Sequence, residues 1–295
     1  MKFPSFFFAV GEQLHPLPVA AGAWTEGTIS GPAVCGVLAR SLEREIADQM
    51  WRPARVTVDM FRPVRMAPVT TETKIVRDGR RIKVVDSSLV QDDRVVARAS
   101  AVFARLSEDP PGEIWAPALA DDARPPLGSA SNGTALNGGE SNGGASNGGE
   151  SNSEGWYWSS ERQWTNSMID HQNSGRKRVW VQQASLVEGE ASSPFVRLVT
   201  AAEVTSMLTN WGSKGIGFVN ADLTVQLARL PQGQFIGLEA QNHASADGVA
   251  MGTTMIYDEV GIFGSASVCA VVNAALQLDM TSIVAERGAA IANGV

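Results

Sequence analysis

Two pairs of segments in this chain repeat at one spacing, and that duplication limits the fold more than any single motif does. ARVTVDMFRP at 54–63 aligns with ADLTVQLARL at 221–230, so that Ala54 falls on Ala221, Thr57 on Thr224, Val58 on Val225 and Arg62 on Arg229, an offset of 221 − 54 = 167. VVARASAVFA at 95–104 aligns with IFGSASVCAV at 262–271, placing Ala99 on Ala266 and Ser100 on Ser267, again at 266 − 99 = 167. Two separated segments that share one offset indicate two copies of one unit. A third correspondence lies upstream at a shifted offset. Ser30 and Pro32 start an apolar helical pattern at Val34, Val37, Leu38, Leu42 and Ile46, and Ser192, Ser193 and Pro194 start another through Phe195, Val196, Val199, Ala202 and Leu208. Each helix is apolar around most of its circumference and is expected to be buried.

Each copy then continues in long strands. The patterns predict strands over 55–62, 70–77, 82–90 and 95–106, and over 218–229, 234–241, 249–257 and 262–272. The links between them are short and polar, which favours antiparallel pairing. One buried helix against such a sheet is an α+β arrangement.

Between the copies, 128–155 reads GSASNGTALNGGESNGGASNGGESNSEG, almost without apolar side chains. Such a stretch cannot bury enough surface to offset its ordering entropy, so a flexible linker is expected there. It divides the chain into an N-terminal domain, 1–127, and a C-terminal domain, 156–295.

Composition excludes some function classes. A net charge of −7 argues against nucleic-acid binding, which needs a basic surface. Two cysteines and three histidines, none clustered, give neither a disulfide framework nor a zinc site, and point to a reducing, cytoplasmic setting without a metal. No apolar run reaches the roughly 18 residues of a membrane span. The opening MKFPSFFFAV is read as a strand or packing arm rather than a leader.

The stretch FVNADLTVQL at 218–227 alternates: Val219, Ala221, Leu223, Val225 and Leu227 share one face, which leaves Asp222 with Asn220 and Thr224 on the other. Asp222 is therefore either a solvated strand residue or a presented carboxylate. Cys35, inside the first helix pattern, reads as a small core residue.

PARVTVDMFRPVRMAP, VRDGRRIKVVDSSLVQDDRVVARASAVF, LVEGEASSP and GFVNADLTVQLARLPQGQFIGLEA resemble the thioesterase-like superfamily, in the actinobacterial-type branch related to acyl-CoA thioesterase II. The resemblance covers most of both copies and none of the linker. It implies a double hotdog: two tandem antiparallel sheets, each wrapped around one buried helix. It also implies an acyl-CoA substrate, no cofactor and hydrolysis by a water that an Asp, a Ser or Thr, and a Gln orient. The helix N-terminus then polarises the carbonyl, a role for which the glycine-rich lead-in EGTISGP, with Gly31, is suited.

Carried onto this chain, the resemblance places the Asp at Asp222 and Asn242 at the hydroxyl position, with His243 and Ser245 as neighbours, and Val268 in place of the Gln. Arg80 and Arg81 would meet coenzyme A phosphates. By the common offset Asp222 corresponds to Arg55 and Val268 to Ala101, so an asymmetric pair with at most one working site is expected. The replaced polar groups leave a second reading open, a non-catalytic acyl-CoA binding protein. A hotdog hydratase built around His15 is a third. Homo-oligomerisation is left open by the sequence.

Overall fold

The computed structural model describes residues 4–46, 48–126, 153–273 and 275–280. Most of the segment read as a linker, 128–152, lies outside the described residues, while 153–155 belong to a strand. The first copy contains β1 (Ser5–Val10), β2 (Gln13–Pro16), α1 (Gly31–Glu45), β3 (Trp51–Met60), β4 (Thr70–Asp78), β5 (Ile82–Gln91) and β6 (Arg94–Arg105). The second contains β7 (Ser153–Ser159), β8 (Arg162–Thr165), β9 (Lys177–Gln183), β10 (Ser185–Val187), α2 (Pro194–Ala202) and α3 (Thr205–Asn210). It continues with β11 (Trp211–Gly212), β12 (Gly215–Ile216), β13 (Phe218–Asn220), β14 (Asp222–Leu227), β15 (Ile236–Ala246), β16 (Val249–Tyr257) and β17 (Ile262–Val272).

The two antiparallel sheets of the double hotdog join edge to edge. Their order is β4-β5-β6-β3-β14-β17-β16-β15-β9-β7-β8, with β13 also on β17. The seam is the β3–β14 pair, and Thr57 lies opposite Thr224 in it. These are the two residues that the duplication superposes, and their hydroxyls are 3.1 Å apart. The local two-fold axis relating the copies therefore passes between them. β1 extends the exchange by pairing in parallel with β10 of the other copy.

The helices fill the concave face. α1 packs on β3 to β6, and α2 and α3 pack on strands of the second copy, while α1 and α2 lie against each other. Eight residues of α1 are buried, Cys35 and Leu38 completely. Gly36 makes the helix crossing close: a Cβ there would fall 2.6 Å from Thr200 Oγ1 and 2.8 Å from Leu186 Cδ1.

The single helix expected over 194–208 is broken. Val204 N–H donates to Ala201 O and Ser206 N–H to Glu203 O, both i→i−3 bonds that tighten the turn and end α2 at Ala202. The β-branched pair Val204–Thr205 has little preference for continuing a helix. The break leaves Glu203 as the C-cap of α2, facing the start of α1.

A second polar fixture closes the β16–β17 turn. The Asp258 carboxylate has no exposure. It accepts from Arg229 Nη1 at 2.5 Å and Nη2 at 2.8 Å, and from the N–H groups of Gln232 and Val260 at 2.8 and 2.9 Å. Burial alone would raise its pKa, but the Arg229 guanidinium and these N–H donors hold it below the usual carboxylate range. Asp258→Ala strands the guanidinium and is expected to lower unfolding stability by about 3–5 kcal/mol in a denaturant titration. A loss below about 1 kcal/mol would show that the turn does not depend on the pair.

Candidate active site

One cavity of about 610 Å³ lies where the two copies meet. The first copy contributes the loop before α1, the first turn of α1 and the chain leaving β3; the second contributes strand residues, the α2–α3 break and β13. Its walls include Phe6, Trp24, Met60, Met168, Met207 and Leu278. Among the described residues no helix is long and apolar enough to cross a membrane.

Glu203 is the carboxylate in that cavity. Its Oε1 sits so close over Gly31 that a Cβ on residue 31 would be 2.1 Å from it. Asn220 Nδ2 donates to the same oxygen at 3.3 Å and to Asp222 O at 3.4 Å. Burial pushes the Glu203 carboxyl up to about 7, and the Asn220 bond pulls in the opposite direction. A carboxyl titrating near neutrality beside a polar amide and a helix N-terminus can take and return a proton at physiological pH. The first turn of α1 lines the cavity through Gly31, Pro32 and Val34. Pro32 has no N–H and Val34 N–H donates to Ser30 O, so Gly31 N–H is the first-turn donor left for an incoming oxygen.

Of the residues singled out from sequence, Gly31 lines this cavity. The others do not assemble there. Unbroken alternation would put Asn220 and Asp222 on one face, but an irregularity at Ala221 separates them. Asn220 pairs with Ala270, while Thr224 pairs with Ser267, one residue out of step. Asn220 thus turns inward, and Asp222 turns to the convex face opposite Cys269, whose N–H donates to its Oδ1 at 2.5 Å. Burial raises the Asp222 pKa, the Cys269 bond lowers it and the neighbouring Asp59 raises it.

Val268 is a correction as well. It is a core residue on the concave face with Leu223, and the residue beside Asp222 is Cys269. Asn242 stands on β15, three strands from β14 and so about 14 Å away. Its Oδ1 accepts from Thr253 N–H at 2.9 Å, next to a bulge at Gln241. His243 and Ser245 are exposed on the same strand and bond each other at 3.1 Å. Arg80 and Arg81 form the tip of the β4–β5 hairpin, at the end of β5 that pairs with Ala104, whereas the cavity lies at the Met60 end. The ten residues of β5 put them about 30 Å off, too far for a ligand seated at Glu203.

Glu203 and Asn220 were missed by sequence reasoning. The available signal was that Glu203 is the sole acid between Glu190 and Asp222, set in an apolar helical run.

The second copy presents a shrunken counterpart. Glu43, at the end of α1, accepts from Ser193 Oγ at 2.5 Å at the N-terminus of α2. The space there is about 70 Å³. Arg40 closes it with a two-point pair to Glu190 at 2.7 and 2.9 Å, and Arg44 joins at 3.2 Å. The copies therefore carry one open and one filled helix terminus.

Comparisons with known proteins agree with this architecture. The sequence profile of the acyl-CoA thioesterase N-terminal domain matches residues 20–104, and that of the acyl-CoA thioesterase C-terminal domain matches residues 121–267. No curated protein matches the chain. Among solved structures, the tesB protein of Mycobacterium avium subspecies paratuberculosis is 14% identical with a TM-score of 0.59, covering 90% of this chain and 95% of its own. The acyl-CoA thioesterase II TesB2 of Mycobacterium marinum is 13% identical with a TM-score of 0.58, covering 92% and 96%. A hot dog fold protein of unknown function from Alicyclobacillus acidocaldarius is 14% identical with a TM-score of 0.60, covering 92% and 96%. At these identities the structures show a shared fold.

Proposed function

The chain belongs to the acyl-CoA thioesterase family, and on that premise we propose that it hydrolyses acyl-CoA thioesters in the cavity between its two copies. The observation that carries this reading is the Glu203 carboxylate lying against Gly31 at the N-terminus of α1. The apolar walls receive the acyl chain, which leaves the thioester carbonyl at the polar end of the cavity. Its oxygen accepts from Gly31 N–H at the positive end of α1, which stabilises the negative charge that builds up on attack. Glu203, ionised, takes a proton from a water held between its carboxylate and the Asn220 amide. The hydroxide so formed adds to the carbonyl carbon. Collapse of the tetrahedral intermediate breaks the C–S bond, and the proton on Glu203 passes to the leaving thiolate. The products are a free carboxylic acid and coenzyme A, with no covalent enzyme intermediate and no group beyond these residues.

Thiol release from acyl-CoAs of several chain lengths tests the proposal. Asp222→Ala separates the two carboxylates: on this reading it keeps kcat/KM within about twofold, the scale of a surface change near ±0.5 kcal/mol. A collapse of activity in that variant would return the catalytic role to Asp222. Tight acyl-CoA binding in calorimetry with no thiol release at any length would make the chain a binding protein instead.

A further inference from the structure

The duplication exposes a side chain that one copy has locked and the other has released. Arg229 and Arg62 superpose at the 167 offset, and their surroundings match. Ala228 N–H donates to Phe263 O at 2.9 Å, as Phe61 N–H donates to Val96 O at 3.1 Å. The pair Tyr257–Ile262 at the end of one hairpin matches Val90–Val95 in the other. The Asp258 that clamps Arg229 then corresponds to position 258 − 167 = 91, which is Gln91.

Gln91 does not clamp Arg62. Its Oε1 accepts from Arg65 N–H at 2.9 Å, and its Nε2 donates to Arg65 O and Ala67 O at 3.0 and 3.1 Å. It therefore holds the loop after Arg62, and among the described residues no carboxylate forms an ion pair with that arginine. Two acids at neighbouring positions are engaged elsewhere: Asp59 with Arg98 at 2.8 Å, and Asp92 with Arg65. Arg62 is exposed and lines the cavity. On a chain of net charge −7, a guanidinium unpaired among the described residues and set at a cavity opening attracts an anion there.

The thioester substrates of the proposed reaction end in such an anion. The acyl group enters the apolar cavity first, and the pantetheine arm trails outward to a phosphate. We propose that Arg62 binds the phosphate at the end of the pantetheine arm. This rests on the proposed function for the direction in which the arm leaves, and the phosphate is common to coenzyme A and to the prosthetic arm of a carrier protein.

The test compares one acyl group on coenzyme A, on 4′-phosphopantetheine and on pantetheine without phosphate. Arg62→Gln is expected to raise KM about tenfold for the two phosphorylated thioesters, with kcat and the pantetheine thioester unaffected. Arg62→Lys recovers part of the loss, because it restores charge without the two-point fork. Gln91→Asp rebuilds the clamp of the other copy and is expected to reproduce the Arg62→Gln effect; adding Arg62→Gln to it changes nothing further.

An equal KM shift on all three thioesters would overturn the proposal in favour of a structural role, and so would no shift. A shift confined to acyl-CoA would place the contact on the nucleotide and overturn it too. Calorimetry with coenzyme A alone gives a readout independent of turnover. Weaker binding by Arg62→Gln, in a protein that releases no thiol, sinks the hydrolysis reading and keeps this one. Equal binding by both proteins sinks this one.

Discussion

Glu203→Gln is expected to lower kcat for thioester hydrolysis by about 10²–10⁴-fold, the range that a positioned general base supplies. The amide keeps the shape of the side chain and can still meet Asn220, so KM for acyl-CoA should change little. In the parent protein kcat/KM should rise with pH and level off above about 7, where the Glu203 carboxyl ionises. The same substitution should stabilise the fold at neutral pH. The folded pKa of Glu203 is raised from 4.5 to about 7. Between those values the native state holds more protons than the unfolded state, so stability contributed by the neutral carboxyl is fully present below about 4.5 and is lost as pH climbs through about 7. The shift corresponds to about 3 kcal/mol. Thermal unfolding of Glu203→Gln at pH 8 should therefore come at higher temperature than that of the parent, while the parent recovers the difference at acid pH. Loss of activity together with loss of stability would mean that Glu203 is a packing residue, and undiminished kcat would remove it from the chemistry.

The opposed signs explain what sequence could and could not reveal about this chain. The duplication was legible because strand alternation and the threonines at the seam survive in both copies, and Thr57 and Thr224 meet where the offset predicts. The β16 and β17 boundaries, 249–257 and 262–272, follow from alternation that runs through most of each strand. The site was not legible, because it depends on departures from period. One extra residue at Ala221 sends Asn220 into the cavity and Asp222 out of it, and nothing in FVNADLTVQL announces that slip. Likewise the break after Ala202 interrupts an apolar pattern that reads as continuous, and it is the break that aims Glu203 at α1. Arg80 and Arg81 looked like phosphate ligands because a paired-cation turn is readable in one dimension, whereas its distance from the cavity is a property of strand length and direction. An acid that opposes stability in an apolar setting breaks the local rules, and such exceptions gather where function resides.

Gly31→Ala should separate the position of the carboxylate from its presence. Gly31 has ordinary helical backbone in the first turn of α1, so alanine brings no strain and should favour the helix by as much as about 1 kcal/mol. The new Cβ, however, would lie 2.1 Å from Glu203 Oε1 and 2.5 Å from its Cδ. Those atoms are the far end of a flexible side chain, so the carboxylate moves and the helices stay. Moved by an ångström or more, it loses both its place over the helix N-terminus and its bond from Asn220, which together would hold the attacking water. A displacement of that size costs on the order of 10²-fold in rate. The expected result is a well-folded variant with kcat down about 100-fold, KM for acyl-CoA nearly unchanged because the acyl walls are intact, and an unfolding temperature equal to or above that of the parent. Full kcat in a variant whose crystal structure shows the carboxylate displaced would mean that chemistry at this helix terminus does not run through Glu203. Unfolding of the variant would show instead that the contact between residue 31 and Glu203 is rigid enough to transmit the clash to the backbone.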